Sequence, residues 1–316
     1  MIAVPVLTVL SLALGSKDIP LSEIWPGLTD PASDSYAVVN GLRVPRTVIG
    51  LAAGAAMGLA GALLQAATRN PLADPGLLGV NAGAAVAVVS ASYFFGVTSF
   101  LTSLPFAFLG AAAAATACYL IAGGGRATPA ALALSGAAIT AAGIAYVQGI
   151  QVLDAATVNT MRFWSVGSLA SAHSVPLTLT VVLMAVGIVA GLLLARPLNA
   201  LALGESAARG LGLNPTVLRV AIIASVTLLA GTATAACGPI VFVGLVIPHL
   251  VRALAGVDHR WILPLSVLGG AVFLVAVDVL GRLIARPGEV QAGVLCAIVG
   301  GPFFVYLVSR KKVSAL

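Results

Sequence analysis

Between Pro75 and Gly125 the chain reads PGLLGVNAGAAVAVVSASYFFGVTSFLTSLPFAFLGAAAAATACYLIAGGG, and none of these side chains carries a charge. A helix crosses hydrocarbon with about 20 apolar residues, so this stretch is too long for one span. It divides into Leu77–Val97 and Phe100–Ala122. Ala127–Leu153, Phe163–Ala195 and Val220–Val251 are equally free of charge. No alternation of period two runs through them, which argues against an outer-membrane barrel and for helices.

The bulk composition says the same. Of 316 residues 60% are hydrophobic and 8% charged, and the mean hydropathy is +1.10. A soluble domain carries about 25% charged residues, so this chain cannot clothe a water-facing surface. The net charge of +6 sits in short loops, where it reads as topology and not as nucleic-acid binding. Cys118, Cys237 and Cys296 fall within apolar runs and read as packing residues. His173, His249 and His259 are scattered and match no metal-ligand spacing.

We read an all-α polytopic protein of about ten spans. These are Met1–Leu14, Thr47–Ala67, Leu77–Val97, Phe100–Ala122, Pro129–Leu153, Val175–Ala195, Val220–Cys237, Ile240–Leu254, Ile262–Leu283 and Gly293–Val308. The first is short and has neither the charged flank nor the cleavage site of a signal peptide. Sorting loop charges alternately puts Arg69, Arg126, Arg196, Arg209, Arg219, Arg252, Arg260, Arg310, Lys311 and Lys312 on one side. Lys17, Arg43, Arg46, Arg162, Arg282 and Arg286 fall on the other. The positive-inside bias makes the first side cytoplasmic, with the carboxyl terminus anchored there. Gly50, Gly54 and Gly58 recur every four residues, with Gly61 nearby, a pattern that lets helix backbones meet closely in lipid. The whole chain, 1–316, reads as one transmembrane domain with a cytoplasmic coupling loop at about 196–219.

The sequence shows no enzyme. It has no G-x-x-x-x-G-K-[ST] loop, and its only lysines are Lys17, Lys311 and Lys312, so it does not cradle ATP phosphates in that way. No catalytic cluster points to a membrane-embedded enzyme. An ion-coupled secondary transporter needs an ionisable group at mid-membrane. The one acid within a span is Asp278, placed one turn before Arg282 as for an ion pair near the outer end.

Three segments are unusual for plain lipid spans: Arg43-Val44-Pro45-Arg46, Asn70-Pro71-Leu72-Ala73-Asp74-Pro75-Gly76-Leu77-Leu78-Gly79, and Leu203–Leu213, a short amphipathic helix ended by glycine. Together with Gln65, Trp164-x-x-Gly167-Ser168-Leu169, the run Gly238–Arg252 and Gly300-Gly301-Pro302-Phe303-Phe304, they resemble in order the FecCD-type ABC importer permeases for iron–siderophore, haem and cobalamin uptake. The resemblance covers nearly the whole chain. Two positions depart from the pattern: Pro129 replaces one of a small polar pair, and Gln291 stands where the family usually has proline.

The resemblance implies the type II ABC importer permease fold in a bacterial inner membrane. It implies a dimer with a second permease subunit, two cytosolic ATP-binding subunits that use ATP and Mg, and an extracytoplasmic substrate-binding protein. The chain itself would bind no cofactor. Arg43, Arg46 and Arg282 match residues that face the binding protein. Glu205, Ala208, Arg209 and Leu211 fall in the helix that couples to the ATPase. Asn70 and Leu72 match the cytoplasmic gate, Thr128 lies near the second gate loop, and Gln65 either lines the pathway or makes a buried interhelical hydrogen bond. The cargo expected is a ferric siderophore, with haem and cobalamin as alternatives.

Overall fold

The computed structural model describes residues 2–15, 19–124 and 127–309. Lys17, Arg126, Arg310, Lys311 and Lys312 therefore lie outside the described residues. The described chain is helical throughout and contains no strand. In order the helices are α1 (Ala3–Ala13), α2 (Leu21–Thr29), α3 (Tyr36–Val38), α4 (Val44–Thr68), α5 (Val80–Phe95), α6 (Phe100–Ile121), α7 (Pro129–Leu153) and α8 (Ala155–Trp164). There follow α9 (Leu177–Leu193), α10 (Ala195–Ala202), α11 (Glu205–Gly210), α12 (Pro215–Cys237), α13 (Val243–Ala255), α14 (His259–Ile284) and α15 (Ala292–Ser309).

Among the described residues five helices are long and apolar enough to cross a membrane, one bent pair is so when taken as a single span, and four shorter helices are apolar. These ten segments match the expected spans in order, with shifted ends. The largest shift is at α4, which continues backward through a π turn at Val39–Arg43 into α3 and so makes a helix of 33 residues, Tyr36–Thr68. The bent pair is α9 and α10, which meet at 42°. The bend carries α10 out of the span and into the loop expected at 196–219.

Helix α4 is the centre of the bundle, with 83% of its most apolar window buried. Its glycine row explains why. A methyl group added at Gly54 would lie 2.3 Å from the Gly270 carbonyl oxygen, and one at Gly58 would lie 2.3 Å from that of Ser266. Both contacts are to α14. One at Gly61 would lie 1.9 Å from the Gly244 carbonyl oxygen, in α13. Lipid supplies no hydrophobic force between helices, so association rests on such close backbone packing.

Two further close approaches locate the family-like motifs. Ser168 N–H donates to the Cys237 carbonyl at 2.7 Å, and Gly293 N–H to the Gly167 carbonyl at 2.9 Å. The segments around Trp164, Gly238 and Gln291 thus converge at one end of the bundle. At the other end, the turn after α4 does not pass around α7 but packs into its side. A methyl group at Gly136 would meet the Leu77 carbonyl oxygen at 1.6 Å, and Gly136 stands about 10 Å up the helix from Pro129 at 1.5 Å per residue. Helix α5 begins only after this inserted turn, which explains its 16 residues.

Replacing Gly58 by Leu forces α4 off α14. We expect a loss of about 1–3 kcal/mol, the usual overpacking cost, seen as several-fold less monodisperse protein on size-exclusion chromatography. Gly149, whose added methyl group meets nothing within 4 Å, is the matched control and should accept Ala.

Candidate functional site

At one end of the bundle five charged residues from the π turn, α4, α14 and the loop after α14 gather around the end of α1. Arg46, on α4, grips Asp278 of α14 with both Nε and Nη2, at 3.0 and 2.7 Å. Its Nη1 donates to Glu289 at 2.7 Å. Asp278 also pairs with Arg282 at 3.1 Å, so the ion pair expected from the i,i+4 spacing is present. Arg282 then donates from Nη1 to the carbonyls of Ser11 and Leu14, each at 3.0 Å, and from Nη2 to the Ser11 hydroxyl at 2.8 Å. Arg43 donates to the carbonyls of Leu12 and Ala13.

These carbonyls are the last ones of α1. A helix leaves its final carbonyls without partners and carries partial negative charge there. Helix α1 has no basic residue in its own last turn, so arginines from the neighbouring π turn and α14 supply both hydrogen bonds and charge. Arg43 and Arg282 are consequently turned inward, at 6% and 4% exposure. Arg46 is linked to a partly exposed group, Glu289.

At the opposite end Gln65 is fully buried and acts as a hydrogen-bonding hub. Its Nε2 donates to the Ala73 and Gly244 carbonyls, each at 3.1 Å, and its Oε1 accepts from Arg252. One amide thus ties α4, the inserted turn and both ends of α13. This is the interhelical hydrogen bond that sequence left as one of two readings. Asn70 caps the turn through its Oδ1, which accepts from the Leu72 N–H at 3.0 Å. Thr128 caps α7, accepting from the Ala131 N–H at 3.2 Å, and is exposed.

The same end carries the loop expected at 196–219. Helix α11 ends at Gly210, and Gly212 follows with φ +80°, as the amphipathic pattern predicted. Ala208 is buried against the bundle. Glu205 pairs with Arg219 of α12 and with Arg209 at 3.5 Å. The Arg209 side chain is 68% exposed and Leu211 is 65% exposed, so these two form the outward face. Asn199 of α10 donates to Asp258 at 2.6 Å and accepts from the His259 N–H at 2.9 Å. Asp258 caps α14 and is held well below the usual carboxylate range, first by the Arg260 guanidinium, then by the Arg260 N–H and the Asn199 amide. A depressed carboxylate stabilises this loop at neutral pH and stops doing so as acid approaches its folded value.

Sequence reasoning missed Arg252, Asn199 and Glu289 as members of these clusters. Arg252 closed the quoted run Gly238–Arg252, a signal not used. Asn199 and Glu289 gave none, because their partners are distant in the chain.

The described residues form an all-helical, multi-pass membrane bundle with a glycine-packed central helix, an inserted turn and two short helices at one end. The chain belongs to the FecCD transport family, which it matches over residues 3–310. It is 42% identical over 309 residues to the ferric enterobactin transport system permease protein FepD of Escherichia coli (strain K12), covering 96% of this chain and 92% of that one. It is 34% identical over 317 residues to the hemin transport system permease protein HmuU of Yersinia pestis, covering 99% and 94%. A solved metal-chelate type ABC transporter in an inward-facing conformation superposes with TM-score 0.84 at 28% identity, over 98% of this chain and 96% of that one.

Two substitutions test the two ends. Asp278→Asn leaves Arg282 buried without its carboxylate and Arg46 with Glu289 alone, and we expect about 3–5 kcal/mol of destabilisation, read as a lower thermal midpoint in detergent. Gln65→Leu orphans two carbonyls and Arg252, at about 1–3 kcal/mol for each buried group left unpaired. An unchanged melting profile for either variant would show that the network carries no stability.

Proposed function

We propose that this chain is the permease subunit of a binding-protein-dependent ABC importer in a bacterial cytoplasmic membrane, and that its cargo is a ferric siderophore-type chelate. The observation that carries the reading is the 42% identity to a ferric enterobactin permease across 96% of the chain. Similarity to a Bacillus subtilis Fe(3+)-citrate permease, 38% over 96% of the chain, supports the ferric class. Haem is the second candidate, on the likeness to the hemin permease.

The end carrying Arg69, Arg209, Arg219 and Arg252 is the cytoplasmic one by the positive-inside bias. Two cytosolic subunits hydrolyse ATP there and meet Arg209 and Leu211 of the coupling segment. Glu205 and Ala208 belong to the same contact and also tie that segment to the bundle. The turn with Asn70 and Leu72, together with the α7 cap at Thr128, forms the cytoplasmic gate. At the opposite end the substrate-binding protein docks. A carboxylate on it would reach Arg46 by displacing Glu289, whereas Arg43 and Arg282 would have to leave the α1 carbonyls. Such rim contacts set docking orientation and rate more than affinity. A second permease subunit completes the pathway. In favour of this, α7 is 17% buried over its most apolar window, against 83% for α4. ATP-driven closure of the cytosolic subunits rocks the two permeases, and the pathway opens alternately to either side.

A strain lacking this chain should lose uptake of radiolabelled ferric siderophore at least ten-fold and regain it on complementation, while haem and cobalamin uptake stay constant. Selective loss of haem uptake instead would move the cargo to haem. Unchanged uptake of all three, with redundant systems removed, would refute the importer reading.

A further inference from the structure

Helix α11 is weakly attached to the rest of the bundle. Of its six residues only Ala208 is buried, and its polar tie to the spans is the Glu205–Arg219 ion pair. The preceding helix, α10, is tied by a second arginine. Arg69 donates from Nη2 to the Leu201 carbonyl at 2.8 Å. Arg69 itself ends α4 in the left-handed region, at φ 48°, immediately before Asn70.

Between these two ties lies a cavity of about 190 Å³, lined among others by Arg69, Tyr119, Pro129, Leu201, Glu205 and Arg219. It therefore separates the coupling segment from the start of α7 and the end of α4, the two places where the gate turns begin. The cavity leaves room for a second packing arrangement, in which α11 moves inward. Packed interfaces switch between discrete arrangements in this manner.

We propose that Arg219 and Arg69 are positioning residues that transmit displacement of the coupling segment to the cytoplasmic gate. Arg219 carries motion of α11 into α12, and Arg69 carries motion of α10 into the turn that begins at Asn70. The cavity is the clearance through which the segment travels. The inference rests on the importer reading above and adds to it which residues join drive to gate. A guanidinium is suited to the task, because its several fixed N–H groups hold direction as well as distance.

The test uses the complete transporter, with its ATPase and binding-protein partners, reconstituted in proteoliposomes and supplied with ferric enterobactin as probe. The readout is ferric chelate imported per ATP hydrolysed. Arg219→Gln and Arg69→Gln should still assemble with the ATPase and hydrolyse ATP, with import per ATP falling at least five-fold. Exchange of the charges, Glu205→Arg with Arg219→Glu, should recover at least half of the parent ratio, which a merely destabilised chain would not do. If the Gln variants assemble and keep the parent ratio, or if the exchange recovers nothing, the strut assignment is overturned. If the parent chain itself fails to assemble with any ATPase, the importer reading falls and the strut assignment falls with it.

Discussion

The contact on which the rest of the molecule depends is the backbone-to-backbone approach of α4 and α14. Gly54 and Gly58 on one side, and Gly270 on the other, leave no room for a side chain between the helices. In lipid this closeness replaces the hydrophobic effect as the source of association, because an apolar side chain gains nothing by leaving acyl chains for another helix. It also fixes where the ends of both helices lie. Once the two rods are in contact along their middles, Arg46 must meet Asp278 above the contact, and Gln65 must meet α13 below it.

Each end of this pair then solves a polar problem in its own way. At the Asp278 end, the buried Arg43 and Arg282 would be costly unless paired. Arg282 pairs with Asp278 and the Ser11 carbonyl, and Arg43 donates to the Ala13 carbonyl at the end of α1. At the other end the inserted turn brings peptide groups into the bundle, where they cannot reach water. Gln65 answers two of them with a single neutral amide.

Much of the fold was legible in the chain itself. The charge-free stretches marked the spans, since no other environment accepts them, and the four-residue glycine spacing marked the packing face of α4. The Asp278–Arg282 pair and the short helix Glu205–Gly210 followed from helical periodicity. All of these signals are local, set within a turn or two of one helix. The expected boundary of α4 fell short because Arg43 and Arg46 looked like span-ending charges, whereas burial and pairing allow the helix to run on through them.

What only the tertiary structure decided is which residues meet across long chain separation. Nothing near Arg43 or Arg282 announces that both turn inward to the end of α1. Nothing near Asn199 announces Asp258, and nothing near Glu289 announces Arg46. A sequence of this composition determines that the chain must be helical and membrane-embedded, because hydrocarbon leaves its backbone few other choices. It does not determine the partner of a given charge, because that depends on how helices distant in the chain are rotated and brought to the same depth by packing.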